Sequence, residues 1–236
     1  MKPNQIYQPF LLRLLHGLTG LFLIGAMLTA FWTYAVYDGR WGSIPLPAYP
    51  EIEGIHGTFG LWTLLIFPAF VLYSFRRGQQ RLVQSDAIAK LTRIGKPIWW
   101  HTLNRCVNTL ALLALTFALF TGKMMDETWL PNGELDHRWY YAHLIAWVVM
   151  ANAIALHLLM NAKVGGVPVL RSMLSWRFHT NDSPKLWPTH CATWWSNIRL
   201  SSRPKKSQSS VLLRILERGI LASLIAAWII SFLRYL

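Results

Sequence analysis

Five stretches of about 20 mostly apolar residues punctuate this 236-residue chain, at about 10–35, 55–75, 102–122, 139–162 and 211–233. Crossing roughly 30 Å of hydrocarbon takes about 20 such residues in a helix. Inside a bilayer every backbone polar group must be satisfied within the segment, so blocks of this kind fold as helices. The apolar residues are continuous here, unlike the periodic stripe of a soluble amphipathic helix. Hydrophobic residues make up 53% of the chain and charged residues only 14%, which excludes an ordinary water-soluble domain. The expected fold class is all-α: a four-helix integral membrane bundle with a fifth, C-terminal helix. That last block carries Arg214, Glu217 and Arg218 in its first turns and leaves about 15 apolar residues after Gly219. It either crosses the membrane or lies in the interface as an amphipathic helix.

The formal net charge of +13 is distributed by loop. Arg76, Arg77, Arg81, Lys90, Arg93 and Lys96 lie between the second and third blocks, against Asp86 alone. Lys163, Arg171, Arg177, Lys185, Arg199, Arg203, Lys205 and Lys206 lie between the fourth and fifth, against Asp182 alone. The alternate loops carry Asp38, Glu51 and Glu53, and Asp126, Glu127, Glu134 and Asp136, with Arg40, Lys123 and Arg138 their only bases. This alternation is the positive-inside pattern and predicts a cytoplasmic N-terminus. The charge therefore reads as topology and contact with anionic lipid, not as a nucleic-acid surface.

Arg13 and His16 inside the first block, and Phe31, Trp32 and Tyr34 at its end, argue for a retained helix over a cleaved signal peptide. The two cysteines, Cys106 and Cys191, fall on or near the basic, reducing side, so no disulfide is expected. Absence of a Cys-x-x-Cys-His motif argues against covalently attached haem. Trp32, Tyr34, Tyr37 and Trp41, Trp99 and Trp100, and Trp139, Tyr140 and Tyr141 cluster where interface belts belong. Pro68 is expected to kink the second span. Three regions follow: a core over 1–165, a basic cytoplasmic segment over 166–210, and an apolar helix over 211–236.

Four histidines, His16, His56, His143 and His157, lie within or at the ends of apolar blocks. Intramembrane ionisable residues are functional candidates by default, although any single one can be a structural hydrogen-bonding group. Their joint geometry favours function. His143 and His157 are fourteen residues apart, a rise of about 21 Å and a net rotation within roughly 40°. One helix thus offers two imidazoles on nearly one face at opposite depths. Following the chain back and forth puts His16 level with His157, and His56 level with His143. Two axial nitrogens at each level is what a six-coordinate b haem requires.

In both His-Gly-Leu-Thr-Gly at 16–20 and His-Gly-Thr-Phe-Gly at 56–60, a glycine follows the histidine and another lies four residues on. Gly17, Gly20, Gly57 and Gly60 would let a flat macrocycle approach the backbone, although small residues also serve plain helix packing. Together with Arg-Leu-Leu-His-Gly at 13–17, Ile-His-Gly at 55–57 and the His143/His157 pair, these residues resemble the bacterial cytochrome b-561 and nickel–iron hydrogenase cytochrome b group. Gly-Lys-Pro-Ile-Trp-Trp at 95–100 and Gly-Lys-Met-Met-Asp-Glu at 122–127 are similar to cyanobacterial members. The resemblance covers residues 5 to about 175. It implies a four-helix core with two non-covalent haems b, their irons ligated by His16, His56, His143 and His157.

On the third span His101, Asn104, Arg105 and Asn108 form a polar strip, read as contact with haem propionates or a quinone, or as interhelical hydrogen bonding and snorkelling. Arg13, one turn before His16, is a propionate candidate or a plain interfacial anchor. His179, His190 and Cys191 match no standard zinc spacing.

The leading expectation is a transmembrane electron carrier that exchanges electrons with a quinone and a redox protein partner. Resemblance to hydrogenase and formate dehydrogenase cytochromes implies a membrane anchor subunit, and resemblance to stand-alone members implies a quinone-linked oxidoreductase. The expected location is a plasma membrane, or a thylakoid membrane in a phototroph. A proton-relay transporter and a cofactor-free structural subunit are the competing classes. A relay needs no paired levels, and no inverted repeat is visible beyond the two glycine motifs.

Overall fold

A computed structural model describes residues 7–125, 135, 137–177, 179–189, 192–193 and 210–233. The expectations for Asp126, Glu127, Glu134, Asp136, His190, Cys191 and the bases Arg199, Arg203, Lys205 and Lys206 lie outside the described residues.

All regular structure among the described residues is helical: α1 (Phe10–Tyr37), α2 (Ile52–Arg76), a short α3 (Ala87–Leu91), α4 (Pro97–Met124), α5 (Arg138–Leu174) and α6 (Val211–Leu233). Helices α1, α2, α4 and α5 are each long and apolar enough to cross a membrane. The protein is thus an integral membrane helical bundle. Local chemistry sets several boundaries. Pro97 opens α4, where its missing N–H would be unpaired in any case. Pro68 sits within α2, which continues through it as one helix from Ile52 to Arg76. Helix α5 runs past the limit of 162 read from hydropathy, but its backbone breaks at Gly166, whose φ of 62° suits glycine alone.

The helices assemble as two antiparallel hairpins. Helix α1 packs along α2 and α4 along α5, while α1 meets α5, and α2 meets α4, only sparingly. Helix α6 lies against both α4 and α2 and bridges the hairpins on one side. Its Leu213, Ile220, Leu224 and Ala227 join Phe67, Val71 and Phe75 of α2, Leu112 and Leu115 of α4, and Met150 and Ala153 of α5 in a single buried cluster. Glu217 is paired with Arg76 of α2 at 2.7 Å. The fifth apolar block is therefore a packed member of the bundle. Its polar first turns are accommodated by an ion pair at the basic end.

At that basic end the segment after α5 folds back over the start of α1. The Tyr7 hydroxyl donates to Asp182 at 2.6 Å, and the Phe10 amide donates to the same carboxylate. Burial, together with that bond, holds the Tyr7 phenol above its ordinary pKa. At the opposite, acidic end Asp38 pairs with Arg40 at 2.7 Å and accepts from the Tyr140 hydroxyl. Arg40 also donates to the Leu135 carbonyl at 3.0 Å, so the loop after α1 is tied to the start of α5.

Candidate functional site: two histidine pairs between the hairpins

The hairpins meet sparingly, and the four intramembrane histidines come together between them in two pairs. His16 of α1 and His157 of α5 have ring centroids 6.0 Å apart and planes inclined at 31°. His56 of α2 and His143 of α5 are also 6.0 Å apart, inclined at 63°. Helix α5 supplies one ring to each pair, and the fourteen residues between them set the pairs about 21 Å apart in helix rise.

The separation has chemical meaning. An imidazole nitrogen sits about 2 Å from a first-row metal ion and roughly 1 Å from its own ring centre, so two coaxial ligands place their ring centres roughly 6 Å apart. Aromatic rings packed on one another also fall at about 4.5–7 Å, so it is the repetition of this spacing at two depths, and not the distance alone, that points to ligation. Among the described residues no three His, Cys, Asp or Glu side chains converge on a metal position. Each pair alone leaves a bare ion short of donors, whereas a macrocycle with four in-plane nitrogens needs only two axial ones.

Three of the four rings are held through Nδ1; at His157, Asn161 Nδ2 also lies 3.5 Å from Nε2. His56 Nδ1 lies 2.9 Å from the Ala26 carbonyl, with Thr29 Oγ1 at 3.4 Å. His143 Nδ1 lies 3.0 Å from Thr121 Oγ1. That hydroxyl donates to the Phe117 carbonyl at 2.8 Å, so its oxygen accepts from the imidazole. His157 Nδ1 lies 3.0 Å from Asn108 Oδ1. Anchoring of the second ring nitrogen is the usual accompaniment of a ligating histidine.

Around His56 and His143 opens a cavity of about 720 Å³, lined also by Gly57, Gly60, Trp41 and Tyr140. That size lies within the range of cofactor pockets. A Cβ placed on Gly57 or Gly60 would meet no atom within 4 Å, and the same holds at Gly17 and Gly20 beside His16. All four glycines thus border open space rather than a tight helix crossing. Sequence alone does not single out Gly122 for the site, yet a Cβ there would stand 3.1 Å from His143 Cε1. Its lack of a side chain lets α4 accept that ring. Thr121 and the Ala26 carbonyl escape sequence reasoning as well, because main-chain acceptors and threonines carry no distinctive signal.

The polar strip on α4 divides. Asn108 contacts His157. Asn104 keeps a buried Oδ1 with no hydrogen-bond partner among the described residues. His101 is exposed. Arg105 lies near Asp86, whose carboxyl is held below the ordinary range chiefly by the Lys90 hydrogen bond and further by Arg105. Arg13 is buried beside the rings of Tyr7 and Phe10, and its terminal nitrogens donate to the carbonyls of Ser175 and Arg177. Its Nε has no partner among the described residues. His179 packs against Tyr7 with ring centroids 4.0 Å apart, as part of the cover over the start of α1.

A family model described as prokaryotic cytochrome b561 matches residues 7–176. Neither the curated proteins nor the solved structures contain a match to the chain.

Proposed function

The chain belongs to the prokaryotic cytochrome b561 family, whose members carry electrons across membranes on b-type haem, and from that premise we propose that it holds two haems b in series. His16 and His157 serve the haem at the basic end, and His56 and His143 the one at the acidic end. The carrying observation is that two imidazole pairs share a 6.0 Å separation at opposite depths of one bundle.

A bound haem supplies one-electron exchange at iron, at a potential set by its axial ligands and surroundings. The protein's own part is positional. Helix α5 fixes the spacing between sites, because both His143 and His157 project from it. Ala26, Thr121 and Asn108 hold three rings in the tautomer that presents Nε2. Gly57 and Gly60 leave the backbone of α2 open to a flat ligand, and Gly17 and Gly20 do so on α1. The apolar cluster of α2, α4 and α6 keeps water from the interior.

Electrons are exchanged with a quinone and with a redox protein partner, as a membrane anchor subunit or a quinone-linked oxidoreductase. Asn104, whose buried amide oxygen lacks a partner among the described residues, would accept from a quinol hydroxyl or a protonated propionate. Arg13 and Arg105 are propionate partners at the basic end, and His101 marks the adjacent surface. The N-terminus faces the cytoplasm of a plasma membrane, or of a thylakoid membrane in a phototroph, as the alternating loop charges support.

The test is cofactor content and its genetic pairing. Purified protein should carry two haems per chain with a low-spin b spectrum. His16→Ala and His157→Ala should remove one spectral component, and His56→Ala and His143→Ala the other. A colourless protein made with ample haem supply would sink the reading. Reduction by ubiquinol or plastoquinol tests the quinone arm.

A further inference from the structure

Asn108 does more than fill a place in the polar strip of α4. Its Oδ1 lies 3.0 Å from His157 Nδ1, and its Nδ2 donates to the Arg81 main-chain carbonyl at 3.0 Å. The second bond fixes the first. Turning the amide over would set its oxygen against the Arg81 carbonyl, acceptor to acceptor, so the orientation that accepts from the imidazole is the one the surface segment enforces. Asn161 also approaches the ring, at 3.3 Å from Nδ1, but its Nδ2 is directed at the His157 carbonyl at 2.7 Å. The next residue on α4 repeats the tie: Thr109 Oγ1 accepts from the Val83 amide at 2.9 Å. Residues 81–83 are therefore clamped to α4 at two consecutive positions, one of which continues to His157.

The other anchored rings have no such route outward. Thr121 bonds back to its own helix, and Ala26 is a main-chain carbonyl of α1. Among the described residues, the pair at the basic end alone has an anchor whose second bond leads out of the bundle to the connection between α2 and α3, where Arg81 is exposed and Leu82 buried.

We propose that Asn108 is a positioning residue for the basic-end haem: it sets the electron donation of His157 and couples it to the Arg81–Val83 segment. This rests on the reading of His157 as an axial ligand. An acceptor on Nδ1–H makes the imidazole a stronger donor at Nε2, which favours ferric over ferrous iron. Asn108 therefore lowers the potential of one haem and leaves the other unaffected. Displacing the 81–83 segment, which Leu82 also ties into the buried core cluster, would raise it.

The experiment is a redox titration of the purified holoprotein, followed by optical and electron paramagnetic resonance spectra. Asn108→Leu keeps the volume and removes the acceptor. It should raise the reduced-to-oxidised ratio of one haem at fixed ambient potential about tenfold, an upward shift of about 59 mV for one electron. Asn108→Asp gives up the Nδ2 bond to the Arg81 carbonyl but presents a full negative charge to Nδ1, and the charge should prevail and shift the same haem downward. Thr109→Val should move it in the Leu direction by less, through the loosened segment. A fixed potential in Asn108→Leu, equal shifts in both haems, or shifts of the same sign in Leu and Asp variants would overturn the proposal. No shift in Thr109→Val would overturn the coupling to the segment. His157→Ala separates the two ideas: if it leaves both haem components in place, the ligand assignment itself has failed, whereas loss of one component there with a fixed potential in Asn108→Leu fails the role of Asn108 alone.

Discussion

The rings of His56 and His143 face each other at 63°, twice the 31° between His16 and His157, although both pairs are 6.0 Å apart. Ligand planes that run nearly parallel donate π density along one direction and split the iron d orbitals. Steeply crossed planes spread it and leave them closer in energy. The ferric protein should therefore show two low-spin resonances, and the one with the larger gmax should vanish in His56→Ala and His143→Ala. Loss of the smaller-gmax signal in those variants would contradict the arrangement.

Glycine variants separate space for a ligand from space for a ring. Gly60 borders the cavity, with nothing within 4 Å of where a Cβ would stand, so Gly60→Leu should leave the fold intact and displace the adjacent ligand. The expected result is about one haem per chain in place of two, at unchanged protein yield, measured by pyridine haemochrome assay. Gly122→Ala brings a methyl to 3.1 Å from His143 Cε1. It should alter the larger-gmax signal alone and spare the other.

The pair Arg76–Glu217 predicts an asymmetry in stability. The Glu217 side chain is 11% exposed and that of Arg76 68% exposed. Removing the arginine strands a largely buried carboxylate, whereas removing the carboxylate leaves an arginine that water already reaches. Arg76→Ala should cost about 2 kcal/mol, and Glu217→Gln about 1 kcal/mol or less. Unfolding in detergent measures both, and equal losses would show that burial does not govern this contact.

Helix α6 buries Leu213 near its start and Ala227 fourteen residues later, about 21 Å of rise, against the same bundle. A helix that follows its neighbours over that length should cross with them. A topology reporter fused at the C-terminus should be active on the side opposite one fused at the N-terminus. Activity of both on one side would put α6 in the interface.

Much of the bundle and the depth of its histidines is legible in the sequence, because both follow from helical rise and from length against bilayer thickness. His143 and His157 on one helix give a ruler, and the alternating spans place His16 and His56 against its two ends. The packing of α6 is harder to read, since Glu217 looks like an interruption until its partner Arg76, 141 residues away, is known. Asn108 shows the same limit. Its position on α4 marks a face, but the face meets both a ligand candidate and a surface segment, and sequence periodicity cannot say which takes the amide oxygen. Gly122 is legible only once the His143 ring is seen against α4.

The seam between the two hairpins has a consequence for biogenesis. Each hairpin is a local, sequence-adjacent unit able to form as it enters the bilayer, but the contacts that join α1 to α5 and α2 to α4 are few. Helix α6, which clasps both hairpins, follows them in the order of synthesis. Until then the two hairpins share few of the contacts of the finished bundle, so the insertion of α6 completes the packing that joins them.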